Sequence, residues 1–195
     1  MPSHLLTNEH EEAVLALEFT TRAVQALGSN GYLWRWVIVG MHNALQGLMV
    51  LALRGGNGLA VLPDATAEEW LKAHREGTKR PIEQLDSFLN LYRKIKSGKM
   101  QFFVHSRRFV PSGSQGRSMK LLNRLRNDFV HFLPNSWSLD LTGLPGMCLD
   151  CLDVGEFLIN DSGNISWRKS SHRVRSRVAI RDARVALAAA AKRFR

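Results

Sequence analysis

Leu121-Leu122-Asn123-Arg124-Leu125-Arg126-Asn127-Asp128-Phe129-Val130-His131-Phe132-Leu133-Pro134 repeats its apolar residues at helical spacing and closes on a proline. Taking 100° per residue from Leu125, the residues Leu121, Leu122, Phe129, Phe132 and Leu133 fall within roughly ±80° of it, which is one core-facing stripe. Arg126, Asn127 and His131 lie on the opposite arc, with Arg126 and His131 about 140° apart. Pro134 disfavours helix at the residue before it, so the helix is expected to end near Phe132 or Leu133, with His131 in its last turn. Arginine binds and neutralises a phosphate, histidine moves a proton near neutral pH, and Asn127 can bond a phosphate or orient the ring.

The spacing alone is unspecific, because a chain this rich in arginine is expected to hold about one such pair by chance. A second pair, Arg35 and His42, does occur in the apolar run Leu33-Trp34-Arg35-Trp36-Val37-Ile38-Val39-Gly40-Met41-His42. His42 there reads as a core histidine with a satisfied ring nitrogen. For Arg126 and His131, a solvated helix face and a catalytic face both stand on the wheel.

Charge points to a polyanionic partner. Residues 101–195 hold 16 Lys+Arg against 7 Asp+Glu, a net +9 of the chain's +10. From Arg168 to Arg195, ten basic residues oppose only Asp182. Such concentration is the footprint of nucleic-acid binding. Ile180, Ala183, Leu187, Ala190, Ala191 and Phe194 form an apolar stripe, with Arg173, Arg177, Arg181 and Arg184 along its flank. The reading is a basic C-terminal helix (168–195) docked on a single domain spanning 1–195, its arginines on RNA. Lys120 and Arg124, on the catalytic-candidate helix, and Arg107-Arg108, in an irregular loop over 97–117, are the other RNA-binding candidates.

Helices are expected from Thr7 to Leu27 and from Tyr32 to Leu53, separated by Gly28-Ser29-Asn30-Gly31. The loop Arg54-Gly55-Gly56-Asn57-Gly58 follows. A short helix is expected to start at Thr66, with Glu69 completing a capping box, and another to run from Pro81 to Ile95. A short helix near 147–159 precedes the polar turn 160–164. No repeat is visible. Short strands near 102–104 or 165–167 would leave the class all-α, with about five to seven helices.

Cys148 and Cys151 form no disulfide framework. Their C-x-x-C spacing lacks two further zinc ligands and the βαβ context of a redox motif, and reads as two cysteines on a short helix. No cofactor is expected. Leu33 to Leu53 is long enough to span a bilayer, but Arg35, His42, Asn43 and Gln46 interrupt it, so a buried bundle helix and no membrane partner are expected. No basic region, apolar run and cleavage site opens the chain, and a cytoplasmic location is expected.

Arg126-Asn127-Asp128-Phe129-Val130-His131 resembles the R-X4-6-H signature of HEPN domains, including the polar residue directly after the arginine. The flanking segments 122–125 and 132–138 and the earlier helix 36–46 are also similar to HEPN-type proteins, and the resemblance covers roughly residues 10–160. It implies an all-α, HEPN-like helical bundle that homodimerises, bringing two motifs into a composite cleft. It further implies a metal-independent endoribonuclease: His131 as acid or base, Arg126 on the scissile phosphate, Asn127 in support. A bacterial toxin–antitoxin or anti-phage defence setting follows from the same resemblance, with an antitoxin or defence-complex partner. The toxin subgroup carries a tyrosine two residues after the histidine, where this chain has Leu133. A non-catalytic RNA-binding module and a regulatory helical subunit are the competing expectations.

Overall fold

A computed structural model describes residues 4–28, 30–131, 136 and 138–193. The described residues form seven α-helices and no strand: α1 (Glu9–Gln25), α2 (Trp34–Leu53), α3 (Asp64–Glu76), α4 (Phe88–Lys94), α5 (Gln115–Val130), α6 (Leu144–Asn160) and α7 (Ser170–Ala191). The all-α expectation therefore holds.

Helix α2 is the hub. Apolar almost all round, it is buried over most of its length and packs against α1, α4, α5 and α6. The composition that would let it cross a bilayer serves here to bury a helix on several sides at once. Its glycines set the approach of α1: a Cβ at Gly47 would stand 3.0 Å from the Ala13 Cβ, and one at Gly40 would stand 2.5 Å from the Thr20 hydroxyl. Helix α1 starts at Asn8, whose side chain accepts from the His10 and Glu11 amides, as the first-turn donors require.

The starts of α3 and α4 differ from expectation. Helix α3 begins at Asp64, immediately after Pro63, so Thr66 lies inside the first turn and caps nothing. The fixed φ of proline orders this start without a side-chain cap. No helix starts at Pro81. Residues 78–87 are irregular, because the Asp86 amide bonds the Val61 carbonyl (2.9 Å) and the Asp86 carboxylate reaches the buried Lys94 ammonium (2.8 Å). Helix α4 waits for Ser87, whose side chain accepts from the Asn90 amide.

Helix α6 is longer than expected at 17 residues, and carries both cysteines on its buried face. It packs against α5 on one side and α7 on the other. The turn after α6 pins the loop before α5. Asn164 donates to the Ala52 (3.0 Å) and Met100 (2.7 Å) carbonyls, and the Arg107 amide bonds Ser162. Gly163 makes this possible with φ +71 and no Cβ to strike His105.

Candidate active site

Helix α5 buries Met119, Leu122 and Leu125 and partly buries Leu121 and Phe129, which is the predicted stripe. Phe132, Leu133 and Pro134 lie outside the described residues. The last helical residue is Val130, two or three residues earlier than expected. His131 forms the cap, with φ −115, ψ 38 and its amide on the Asn127 carbonyl at 2.8 Å.

The far side of α5 divides into two strips. One is half-buried and faces α2. On it Asn123 Oδ1 accepts from the Nε2 of buried His42 at 3.2 Å, and Arg126 lies one turn further on. His42 stacks on Phe88 with ring centroids 4.0 Å apart. Burial, opposed by the Asn123 bond and aided by the Arg126 charge, brings the His42 pKa down to about 4. His42 is thus a neutral core histidine with a satisfied nitrogen, as its sequence context suggested. Arg126 keeps its Nε buried and unpartnered among the described residues. Its Nη1 donates to Asn127 Oδ1 at 3.0 Å.

The other strip is fully exposed. Arg117, Lys120, Arg124, Asn127 and His131 follow at three- and four-residue spacing, all open to solvent. Among the described residues, Arg117, Lys120 and Arg124 make no ion pair and the His131 ring has no hydrogen-bond partner. The structure thus joins Asn127 to Arg126 by a direct bond and to His131 through the backbone. It brings Arg126 and His131 no closer than opposite flanks of one helix.

The remaining RNA-binding candidates separate from this face. Arg107 and Arg108 are exposed, but the loop bearing them is bonded to the α6–α7 turn, beside the end of α2 at Ala52. Arg184 bonds Asp153 and Glu156, both at 2.6 Å, and so ties α7 to α6. Arg181 pairs with Asp182 at 2.9 Å. Arg173 and Arg177 are exposed on α7, with α6 between them and α5. Sequence reasoning passed over Arg175, which bonds Glu11 (2.9 Å) and Glu18 (2.7 Å) and holds α7 to α1. Only spatial proximity reveals these acids.

Between the start of α2 and the end of α5 opens a cleft of about 920 Å³, lined by Tyr32, Trp34, Arg35, Trp36, Asp128 and Phe129 among others. Sequence reasoning passed over this cleft, and the Trp34-Arg35-Trp36 run does not say which rings face out. Trp34 is core, while Trp36 is half exposed and Tyr32 stands in solvent.

Cys148 and Cys151 are fully buried, and burial pushes the Cys148 thiol up to about 12 and the Cys151 thiol up as well. Both are protonated packing groups rather than thiolate ligands. Among the described residues no cluster of three or more His, Cys, Asp or Glu side chains forms a metal-binding group. No protein-family model, curated protein or solved structure matches the chain.

Proposed function

We propose that this protein is a HEPN-like, metal-independent endoribonuclease acting as a homodimer, with Arg126, Asn127 and His131 as its catalytic face. The observation that carries the reading is the pairing on one helix. A half-buried arginine bonded to its asparagine neighbour shares α5 with an exposed histidine whose ring has no hydrogen-bond partner among the described residues. The strip holding that histidine is basic, through Arg117, Lys120 and Arg124, and suits a phosphate backbone.

In the reaction, the RNA 2′-oxygen bonds to the adjacent phosphorus as the bond from phosphorus to the 5′-oxygen breaks. His131 of one protomer takes the 2′-OH proton, and the same residue of the second protomer gives a proton to the departing 5′-oxygen. Arg126 stabilises the charge growing on the phosphoryl oxygens, and Asn127 orients it. The products are a 2′,3′-cyclic phosphate and a 5′-hydroxyl. Because Arg126 and His131 lie on different flanks of α5, two copies facing each other supply the arrangement that one helix does not. A toxin–antitoxin or anti-phage role is the setting proposed for such an activity.

The test is incubation of purified protein and His131→Ala with total RNA in excess EDTA, followed by analysis of the 3′ ends. Cleavage by the wild type alone, leaving cyclic phosphates, is the expected result. Equal cleavage by His131→Ala overturns the assignment. The separation of Arg126 from His131 favours one competing reading, a non-catalytic RNA-binding module. That reading predicts salt-sensitive RNA binding, unchanged in His131→Ala, with no cleavage by either protein.

A further inference from the structure

We infer that the cleft between the start of α2 and the end of α5 is a nucleobase pocket selective for guanine. Its role as a substrate subsite rests on the ribonuclease reading; its ability to bind the base does not.

The walls supply stacking surfaces. Tyr32 is 91% exposed, yet its backbone is held: Asn30 Oδ1 accepts from the Tyr32 amide at 2.9 Å, and the Leu33 amide bonds the Asn30 carbonyl. Trp36 stands 45% exposed on the next turn, with the Arg35 guanidinium 5.3 Å from its ring centroid. A solvated phenol on an ordered turn, beside an indole and a guanidinium, is a surface on which a flat heteroaromatic ring stacks.

Asp128 supplies the selectivity. It lines the cleft directly after Asn127 and three residues before His131, and is exposed. Among the described residues it has no ion-pair or hydrogen-bond partner, although Arg124 and Lys120 lie on the same helix. An exposed carboxylate on a phosphate-binding face repels the backbone, so its favourable partner is a donor group on a base. Guanine presents two adjacent donors, N1–H and the N2 amino group, which match the two oxygens of a carboxylate. The Watson–Crick edge of uracil sets its single N–H between two carbonyl oxygens that a carboxylate repels. Adenine and cytosine each offer one amino group beside an acceptor nitrogen. Placed next to Asn127, the base site would put a guanosine beside the phosphate held at Arg126.

The test uses 2′-O-methyl RNA hexamers, which lack the nucleophile and stay intact. One has a single guanosine among adenosines and the other is all adenosine. Their affinities are measured by fluorescence anisotropy for the full chain, Asp128→Asn, Tyr32→Ala and Glu76→Gln. Tighter binding of the guanosine hexamer, by about tenfold as expected for a base-edge pair, supports the pocket when Asp128→Asn abolishes the preference. Tyr32→Ala then weakens both hexamers by roughly tenfold through lost stacking, and Glu76→Gln, exposed on α3 away from the cleft, binds as the wild type does. Equal affinities for the two hexamers, or a preference that survives Asp128→Asn with the fold intact by circular dichroism, overturn it. The RNA cleavage assay on the same preparations separates the two ideas. Cleavage without guanosine preference removes the pocket and leaves the nuclease. Guanosine preference without cleavage does the reverse.

Discussion

His42 Nε2 donates to Asn123 Oδ1 at 3.2 Å, joining the central helix to the candidate catalytic helix directly behind Arg126. This bond holds in place the half-buried strip of α5 that carries the arginine. Asn123→Ala leaves a buried N–H without its partner and is expected to destabilise the fold by about 1–3 kcal/mol. Urea unfolding reads this directly; an unchanged midpoint would remove His42 and Asn123 as the fastening.

The same histidine makes stability depend on pH. Unfolded, His42 takes up a proton near 6.5, whereas the folded ring resists until about 4. Its contribution is therefore complete above 6.5 and is lost as pH falls from there towards 4, in total about 3 kcal/mol. His10, also lowered by burial, acts in the same direction. His42→Gln should flatten the wild-type loss of unfolding free energy between pH 7 and 4.5, and identical slopes for the two proteins would contradict the assignment.

Lys94 and Asp86 form a buried ion pair at 2.8 Å, with side chains 3% and 4% exposed. Lys94 also bonds the Leu62 carbonyl and reaches Asp64 at 3.3 Å. Lys94→Met strands the Asp86 carboxylate and is expected to cost about 3–5 kcal/mol. Adding Asp86→Leu should recover much of that loss. Failure of the double variant to regain stability would show that packing, rather than the stranded charge, set the cost.

The arginines should divide into two groups. Arg124→Ala, on the exposed strip of α5, is expected to weaken RNA binding uniformly across sequences and to lower the salt slope by about one. Its unfolding midpoint should not move. Arg184→Ala, which cuts the tie from α7 to Asp153 and Glu156, should destabilise by about 1 kcal/mol, since the group is partly solvated. Its RNA affinity should stay at the wild-type level. Titrations at three salt concentrations beside urea curves decide between this division and one shared electropositive surface.

Cys148 and Cys151 should not react with a thiol reagent in the native protein, because their thiols are buried and held protonated. Both should label fully in urea. Rapid labelling of the native chain would place at least one of them at the surface.

Much of the bundle was legible before any coordinates. The helical period of α5 and the long, mostly apolar run of α2 each point to a helix whatever lies around it. What misled were local signals overruled by distant partners. Thr66 and Glu69 have the spacing of a capping box, yet Pro63 starts that helix earlier. Pro81 suits a first turn, yet the demand of Lys94 for Asp86 keeps the segment irregular. Arg184 looks like its neighbours in a basic row, yet two acids on another helix neutralise it.

The sequence by itself determined the all-helical class, the stripe that buries α5, and the residue types Arg126, Asn127 and His131 on its far side. These follow from periodicity and side-chain chemistry, which act over a few residues. Only the tertiary structure decided which cations remain free, that Arg107 and Arg108 lie at the far end of α2, and that Tyr32, Trp36 and Asp128 share a cleft. Ion pairing and cleft formation depend on distances between helices far apart in the chain, and no local pattern encodes them.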